Sequence, residues 1–367
     1  MNIFEATKSY EHWLGEAVIV VSKDLRDKHA KLREDPFQFL RGTYYRWAQT
    51  WPGLCHQNKG APVVLSAGDL HIDSYGTWRD AEGRLCWGID DFDEAWPLPY
   101  TNDLTRLATS VKIAKKLNLL TIRFKRACAA ILKAYEQTLQ AGGCPVVLAE
   151  EETHLERLGI DVLKSPTSFW QKLTTRPSMT SPLPSDARKA LEASFPGGHV
   201  QRQYRVVRRE AGLGSLGQIR YVAIADCNGG WVAREAKNVP PSANQWLQDQ
   251  SSKPGAHFDR YYEKTMTVAK RSADPFQKVV GAWLIRRLSP DSNPILVENF
   301  PKIRDEEVLL KAMGTEIANV HLGSRSSASR ILRHLRARKP DWLASDARKM
   351  AKAFIHDWKQ YSNAAHG

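Results

Sequence analysis

Val63-Val64-Leu65-Ser66-Ala67-Gly68-Asp69-Leu70-His71-Ile72-Asp73-Ser74 is the stretch on which the fold turns. A strand-like apolar run delivers a carboxylate and an imidazole into a turn. Leu85-Cys86-Trp87-Gly88-Ile89 then runs into Asp90-Asp91-Phe92-Asp93-Glu94, with Arg79 to Gly83 as the hairpin turn between the segments. Two strand ends therefore present acids. Carboxylates gathered in a partly apolar setting repel one another unless a cation joins them. Mg²⁺, held by one or two carboxylates plus substrate phosphate, meets that need. One acidic turn alone reads best as a solvated loop; two joined by a hairpin read as a site.

The second constellation, Gly212-Leu213-Gly214-Ser215-Leu216-Gly217, has G-x-G-x-x-G spacing. A dinucleotide-binding fingerprint must open a helix. Here Ile219 to Ile224 alternates like a strand and leads to a hairpin turn at Asn228-Gly229-Gly230. Glycines between two strands match the flap that covers ATP phosphates in kinases, where backbone amides approach phosphate with no side chain in the way. The next strand, Trp231 to Ala236, should carry a cation, and Arg234 and Lys237 are on offer. Three residues apart, they point to opposite faces, so only one reaches the cleft. Arg234 shares its face with Val232 and Ala236, an apolar wall for an adenine, and is favoured. Glu263, in a helix read from Phe258 to Lys270, is the best acidic partner for it.

Outward from these motifs the pattern is helical at both ends. Asp35-Pro36 opens a helix with Phe37, Leu40, Tyr44 and Trp47 on one side. Asn102-Asp103 caps another with Leu104, Leu107, Ala108 and Val111. Pro166 to Pro184 reads as a surface loop or crossover, and Ser185-Asp186 opens a short helix ending near Gly197-Gly198. Tyr204 to Val207 reads as a strand. Asp274-Pro275 opens a helix with Phe276, Val279, Trp283 and Leu284 on one face, and Ile295-Leu296-Val297 follows as a short strand. Helices resume from Asp305. The class is α+β: a helical lobe with the acidic loops over 1–200, a strand-rich nucleotide lobe over 201–300, and helices completing the first lobe over 301–367.

The chain has 367 residues with 53 Lys+Arg against 40 Asp+Glu, a net charge of +13. Its 42% hydrophobic and 25% charged content excludes collagen-like and disordered classes. No apolar run approaches the roughly 18 residues of a membrane helix. The opening Met1-Asn2-Ile3-Phe4-Glu5 does not read as a secretory signal, so a cytoplasmic location is expected. Cys55, Cys86, Cys128, Cys144 and Cys227 are scattered without metal spacing and read as free thiols of the core. The basic run from Arg325 to Lys339 interleaves with Leu332 and Leu335, so an exposed helix face accounts for it as well as a nucleic-acid surface does. Nucleic acid is not the favoured partner.

These pieces resemble the kinase-like phosphotransferases, in particular the aminoglycoside and choline branch. Gly68-Asp69-Leu70-His71, Ile89 with Asp91-Phe92-Asp93, and Tyr100 with Asp103-Leu104 follow that branch's order. The halves are exchanged, because the glycine turn follows the catalytic loop. The helix Leu309 to His321 resembles the one that normally leads into that loop, which implies a two-lobed, circularly permuted kinase-like fold. The whole chain is similar to a bacterial family known as domain of unknown function 2252. That similarity rests on Pro36-Phe37-Gln38-Phe39-Leu40-Arg41-Gly42, the acidic motifs, Asp103-Leu104-Thr105-Arg106-Leu107, Gly214-Ser215-Leu216-Gly217, Arg234-Glu235 and Val279-Val280.

The resemblance implies ATP and Mg²⁺ as cofactors and phosphoryl transfer to an unidentified small-molecule or protein hydroxyl. Asp69 would be the catalytic carboxylate, Asp91 the metal ligand with Asp93 as a second, and Ser74 would stand at the family's metal-binding Asn. Gly212, Gly214, Ser215 and Gly217 would form the phosphate flap, and Arg234 or Lys237 would contact phosphate. His71 would buttress the loop. The alternative is a catalytically silent nucleotide-binding scaffold, suggested by Ser74 and Arg234. A metallophosphoesterase reading ranks lower, since the chain has no Asn-His dipeptide.

Overall fold

The computed structural model describes residues 1–148, 165–196, 204–249, 261–292, 294–298 and 306–364. Four helices come first: α1 (Ile3–Ala17), α2 (Ser22–Glu34), α3 (Pro36–Gly42) and α4 (Tyr44–Leu54). Asp35 starts α3 by accepting from the amides of Phe37 and Gln38. The single helix expected from Phe37 to Trp47 breaks at Thr43, whose backbone leaves helical geometry and whose hydroxyl bonds back to the Phe39 carbonyl at 2.6 Å.

Strands β1 (Val63–Ser66), β2 (Tyr75–Arg79), β3 (Leu85–Ile89) and β4 (Trp96–Pro99) form two small antiparallel pairs, β1 with β4 and β2 with β3. Asp80 accepts from the Glu82 and Arg84 amides and fixes the β2–β3 turn. Next come α5 (Thr101–Lys116) and α6 (Phe124–Ala141). α5 is buried on every side from Thr101 to Val111, polar residues included. α7 (Pro166–Thr174) occupies part of the stretch expected as loop, with Pro166 preset for a first helical position, and α8 (Ser185–Ala193) follows. The expected end of that helix at Gly197-Gly198 lies outside the described residues.

The main sheet is antiparallel with five strands: β5 (Arg205–Arg208), β6 (Arg220–Cys227), β7 (Gly230–Asn238) and, after α9 (Ala243–Gln248) and α10 (Tyr261–Val268), β8 (Lys278–Val280) and β9 (Trp283–Leu288). Their order is β5-β6-β7-β9-β8. Asn228 and Gly229 both take positive φ, 58° and 84°, the geometry of a twisted two-residue hairpin. The helix expected from Asp274-Pro275 is a β8–β9 hairpin instead. Asp274 caps only a turn, through the Phe276 amide at 2.9 Å, and Gly281 turns the chain at φ 59°. Trp283 and Leu284, expected on one face, go to different cores. Ile295 to Val297 is not a strand: the Ile295 amide bonds to the Tyr75 carbonyl at 2.9 Å, and Pro294 bridges to Gly76. The helix start read at Phe258 and the positions Phe300 and Asp305 lie outside the described residues.

One face of the sheet is covered by α8, where Ala187, Ala190, Leu191 and Phe195 pack on Tyr221, Ala223, Ala236 and Ile285. The opposite face is apolar at one end, where Leu173 of α7 meets Val207, Val222, Ile224 and Leu288. Its other end is polar and roofs the cleft described below.

The chain closes with α11 (Glu306–His321), α12 (Ser327–Arg336) and α13 (Trp342–Asn363). These pack with α1 to α6 in one large core that runs from Ile3 to Phe354 and Tyr361. The C-terminal end of α11 lies beside β1, where Ser324 Oγ accepts from the Leu65 amide at 2.8 Å. On α12, Ile331 is buried and Leu332 and Leu335 pack on the core, leaving Arg330, Arg333 and Arg336 outside. No helix among the described residues is long and apolar enough to cross a membrane. None of the five cysteines forms a disulfide, but Cys144 is exposed and Cys227 partly so, contrary to the expectation of five core residues.

Candidate functional site

Asp69 sits in the turn after β1, and α5 positions it twice over. Asp103 accepts from the amides of Ala67 at 2.8 Å and Gly68 at 3.1 Å, and meets His321 Nε2 at 3.2 Å. It does not cap its helix, as the sequence suggested; it pins the loop. Gly68 has φ 80°, and a Cβ there would lie 2.1 Å from the Glu94 carbonyl, so only glycine fits. One turn along α5, Arg106 aims Nε (2.8 Å) and Nη2 (2.5 Å) at the same oxygen, Asp69 Oδ1. Nη2 also donates to the Leu40 carbonyl at 2.8 Å, and the guanidinium lies between the Tyr44 and Trp47 rings at 5.0 and 4.9 Å. Burial pushes the Asp69 carboxyl up, and Arg106 opposes that push. Its second oxygen, Oδ2, lies next to Gly214. His71 accepts from the Asp73 amide; burial and the charges of Arg41 and Arg106 hold it well below its usual pKa, so it is a neutral buttress.

The second acidic turn is pinned to the first by the Asp90 amide on the Ser74 carbonyl at 3.2 Å. Lys237 reaches both metal-ligand candidates: Nζ is 3.3 Å from each Asp91 oxygen and forms an ion pair with Asp93. Burial would raise the Asp91 carboxyl, but Lys237 and Arg220 hold it below the usual range. Asp93 is pushed up to about 6 by burial and by the charge of Asp91, and its Oδ1 is buried without a hydrogen bond.

The sheet's polar end faces these acids. Glu235, fully buried on the Lys237 side of β7, is bound by Arg209 (2.6 Å), Arg220 (3.3 Å) and Arg286 (2.6 Å). Strand register explains the cluster, since Arg286 stands opposite Glu235 and Arg220 opposite Lys237. Arg220 also donates to Ser215 Oγ, which ties the glycine turn to the sheet. The amides of Gly212, Leu213, Gly214 and Ser215 make no hydrogen bond among the described residues. Asp69, Asp91, Asp93, residues 212–216 of the glycine turn and Lys237 thus line one cleft of about 870 Å³, whereas Gly217, expected in the flap, packs towards Leu25 and accepts from the Val21 amide.

Arg234 is not in it. Its Nε donates to the Ser194 carbonyl at 2.9 Å, and it stacks on Phe276 and Phe195 under α8, because the apolar wall it shares with Val232 and Ala236 packs on that helix. Glu263 is exposed on α10, and Lys237 takes its carboxylates from Asp91 and Asp93 instead. Ser74 lines the cleft, but its hydroxyl donates to the Asp69 carbonyl at 3.2 Å and accepts from the His71 amide at 3.0 Å. Among the described residues no three or more His, Cys, Asp or Glu side chains are grouped to hold a metal. Sequence reasoning missed Arg106, Arg41 and Lys28. Arg41 pairs with Asp73 at 3.0 Å, and Lys28 donates to the Gly214 carbonyl at 2.7 Å.

A family model matches residues 21–157. Its description is an uncharacterized protein conserved in bacteria, DUF2252. That segment carries Asp69, Asp91, Asp93 and Arg106, whereas the glycine turn and Lys237 lie beyond it. No curated protein and no solved structure matches the chain.

Glu94, on the cleft wall, accepts from Ser242 Oγ at 2.8 Å and from the Ala243 amide at 2.7 Å, and burial pushes it up to about 8. An acid with a raised folded pKa contributes stability that is full below its unfolded value of 4.5 and lost as pH rises through about 8. Glu94→Gln keeps both acceptor bonds without the charge. Relative to the parent it should gain on the order of 1 kcal/mol between about pH 5 and 8, partial exposure screening the rest. Urea unfolding at the two pH values measures this; an equal difference at both would contradict it.

Proposed function

We propose that the cleft binds Mg·ATP and transfers its terminal phosphoryl group to an acceptor hydroxyl. One observation carries the reading: Asp69 Oδ2 lies beside Gly214 of the glycine turn, whose amides from Gly212 to Ser215 make no hydrogen bond among the described residues, and the same cleft is lined by Lys237 with Asp91 and Asp93. Asp69 orients the acceptor and takes its proton as the new O–P bond forms and the bond to ADP breaks. The turn's amides and Lys237 hold phosphate oxygens. Mg²⁺ takes one or two carboxylates and completes its shell with phosphate and water, and Asp91 with the unbonded Oδ1 of Asp93 suits that donor set. When bound, the ion neutralises charge on the phosphates.

The kinase-like, circularly permuted reading draws support from two features. The glycine turn joins the first two strands of a five-stranded antiparallel sheet with the cleft-facing cation on the third. α11, late in the chain, runs up to the start of the Asp69 loop through His321 and Ser324. A second reading, nucleotide binding without turnover, is favoured by Ser74 alone, whose hydroxyl is occupied within its loop.

The test is thermal unfolding with Mg·ATP, alongside product analysis. Ligand at about 100 times Kd should add roughly 2.7 kcal/mol of stability. Asp91→Asn should reduce the magnesium-dependent part of that gain, and Asp69→Asn should leave the gain and abolish turnover. No gain at millimolar Mg·ATP would defeat both readings; a gain without product would favour the second.

A further inference from the structure

Lys28, on α2, is only 6% exposed and forms no ion pair within 4 Å among the described residues. Its one hydrogen bond goes to a neutral carbonyl, that of Gly214 in the glycine turn. A buried ammonium so poorly compensated is costly, and burial lowers its pKa. The carboxylates that act on it have other partners: Glu11 meets His29 Nε2 at 3.2 Å, Asp69 Oδ1 is held by Arg106, and Glu94 accepts from Ser242 and the Ala243 amide. The ammonium therefore holds two unspent N–H donors at the edge of the cleft. Beside it the turn presents four unbonded amides, and Gly214 brings both sets of donors next to Asp69.

From this convergence we infer that Lys28 and the Gly212–Ser215 amides form an oxyanion subsite for a phosphate group, beside Asp69. The phosphate is either the terminal one of a nucleotide or one borne by the acceptor. Its role in transfer rests on the phosphotransfer reading, while its occupancy is measurable without nucleotide. A charged donor joined to an amide nest is the arrangement that selects phosphate over neutral ligands.

The experiment titrates the full chain with inorganic phosphate by calorimetry, then with ADP and a non-hydrolysable triphosphate analogue, in the parent, Lys28→Gln and Lys28→Arg. Gln keeps a donor for the Gly214 carbonyl but removes the charge. Phosphate affinity should fall about tenfold in K28Q and be largely kept in K28R. If K28Q also loses the analogue's advantage over ADP, the site serves the nucleotide's terminal phosphate. If that advantage is kept while phosphate binding to the Mg·ADP complex falls, it serves the acceptor. Lys28→Met repeats the comparison should K28Q not fold. Phosphate affinity unchanged in K28Q, or no phosphate uptake by the parent, overturns the subsite and leaves Lys28 as a tether. Lys28-dependent phosphate binding without any nucleotide binding would retain the subsite and remove the proposed function.

Discussion

Arg106→Ala should lose about 3–5 kcal/mol of stability, the range for breaking a buried ion pair from one side. The alanine leaves Asp69 without its counter-charge and the Leu40 carbonyl without its donor, and opens the space between the Tyr44 and Trp47 rings. Arg106→Lys should lose less, because it restores a charge but not the planar fork that meets one oxygen from two nitrogens. The pH dependence identifies the cause. Asp69, already raised by burial, climbs further without Arg106, so protonation at lower pH should shrink the alanine variant's deficit. Denaturant unfolding from about pH 7 down to 4 reads both effects. A loss below about 1 kcal/mol would mean the guanidinium matters no more than a surface charge.

Glu235→Ala should be comparably severe, about 3–5 kcal/mol, because it abandons three guanidiniums that share one fully buried carboxylate. The damage should be reversible by subtraction. Adding Arg220→Met and Arg286→Met to a Glu235→Leu chain removes the repulsion with the partner and should recover most of the loss, measured as a mutant cycle by urea unfolding. Although burial raises the Glu235 carboxyl, its arginines hold it well below the usual range. Its stabilising contribution is therefore present above the unfolded value near 4.5 and lost as pH falls through the folded one. The substituted chains should lack that part of the acid sensitivity.

The acid turns were legible in the sequence because each ends a short strand, and the Asn228-Gly229 hairpin because only certain residues accept its φ values. Alternation put Arg234 and Lys237 on opposite faces correctly. It could not say which face lies on the cleft, since α8 arrives from elsewhere in the chain to cover the apolar one. The helix read over the β8–β9 hairpin failed because Phe276, Val279 and Trp283 fall at helical spacing by coincidence. Val279, Val280 and Ile285 are β-branched and Gly281 interrupts them, which was the available counter-signal. Arg106 escaped notice on a helix taken as amphipathic. A cation three residues after Asp103, in the stretch from Thr101 to Val111 that is buried on every side, is the trace it leaves.

The glycine turn is fastened from outside the sheet. The Val21 amide donates to the Gly217 carbonyl at 2.7 Å, Asp24 pairs with Arg208 just before the turn, and Lys28 holds Gly214. All three anchors lie within two turns of a single short helix and the residue preceding it. Amide protons of α2 and of residues 212–217 belong, on this account, to one cooperative opening unit. Whatever settles on the turn thereby slows hydrogen exchange at the very start of the fold.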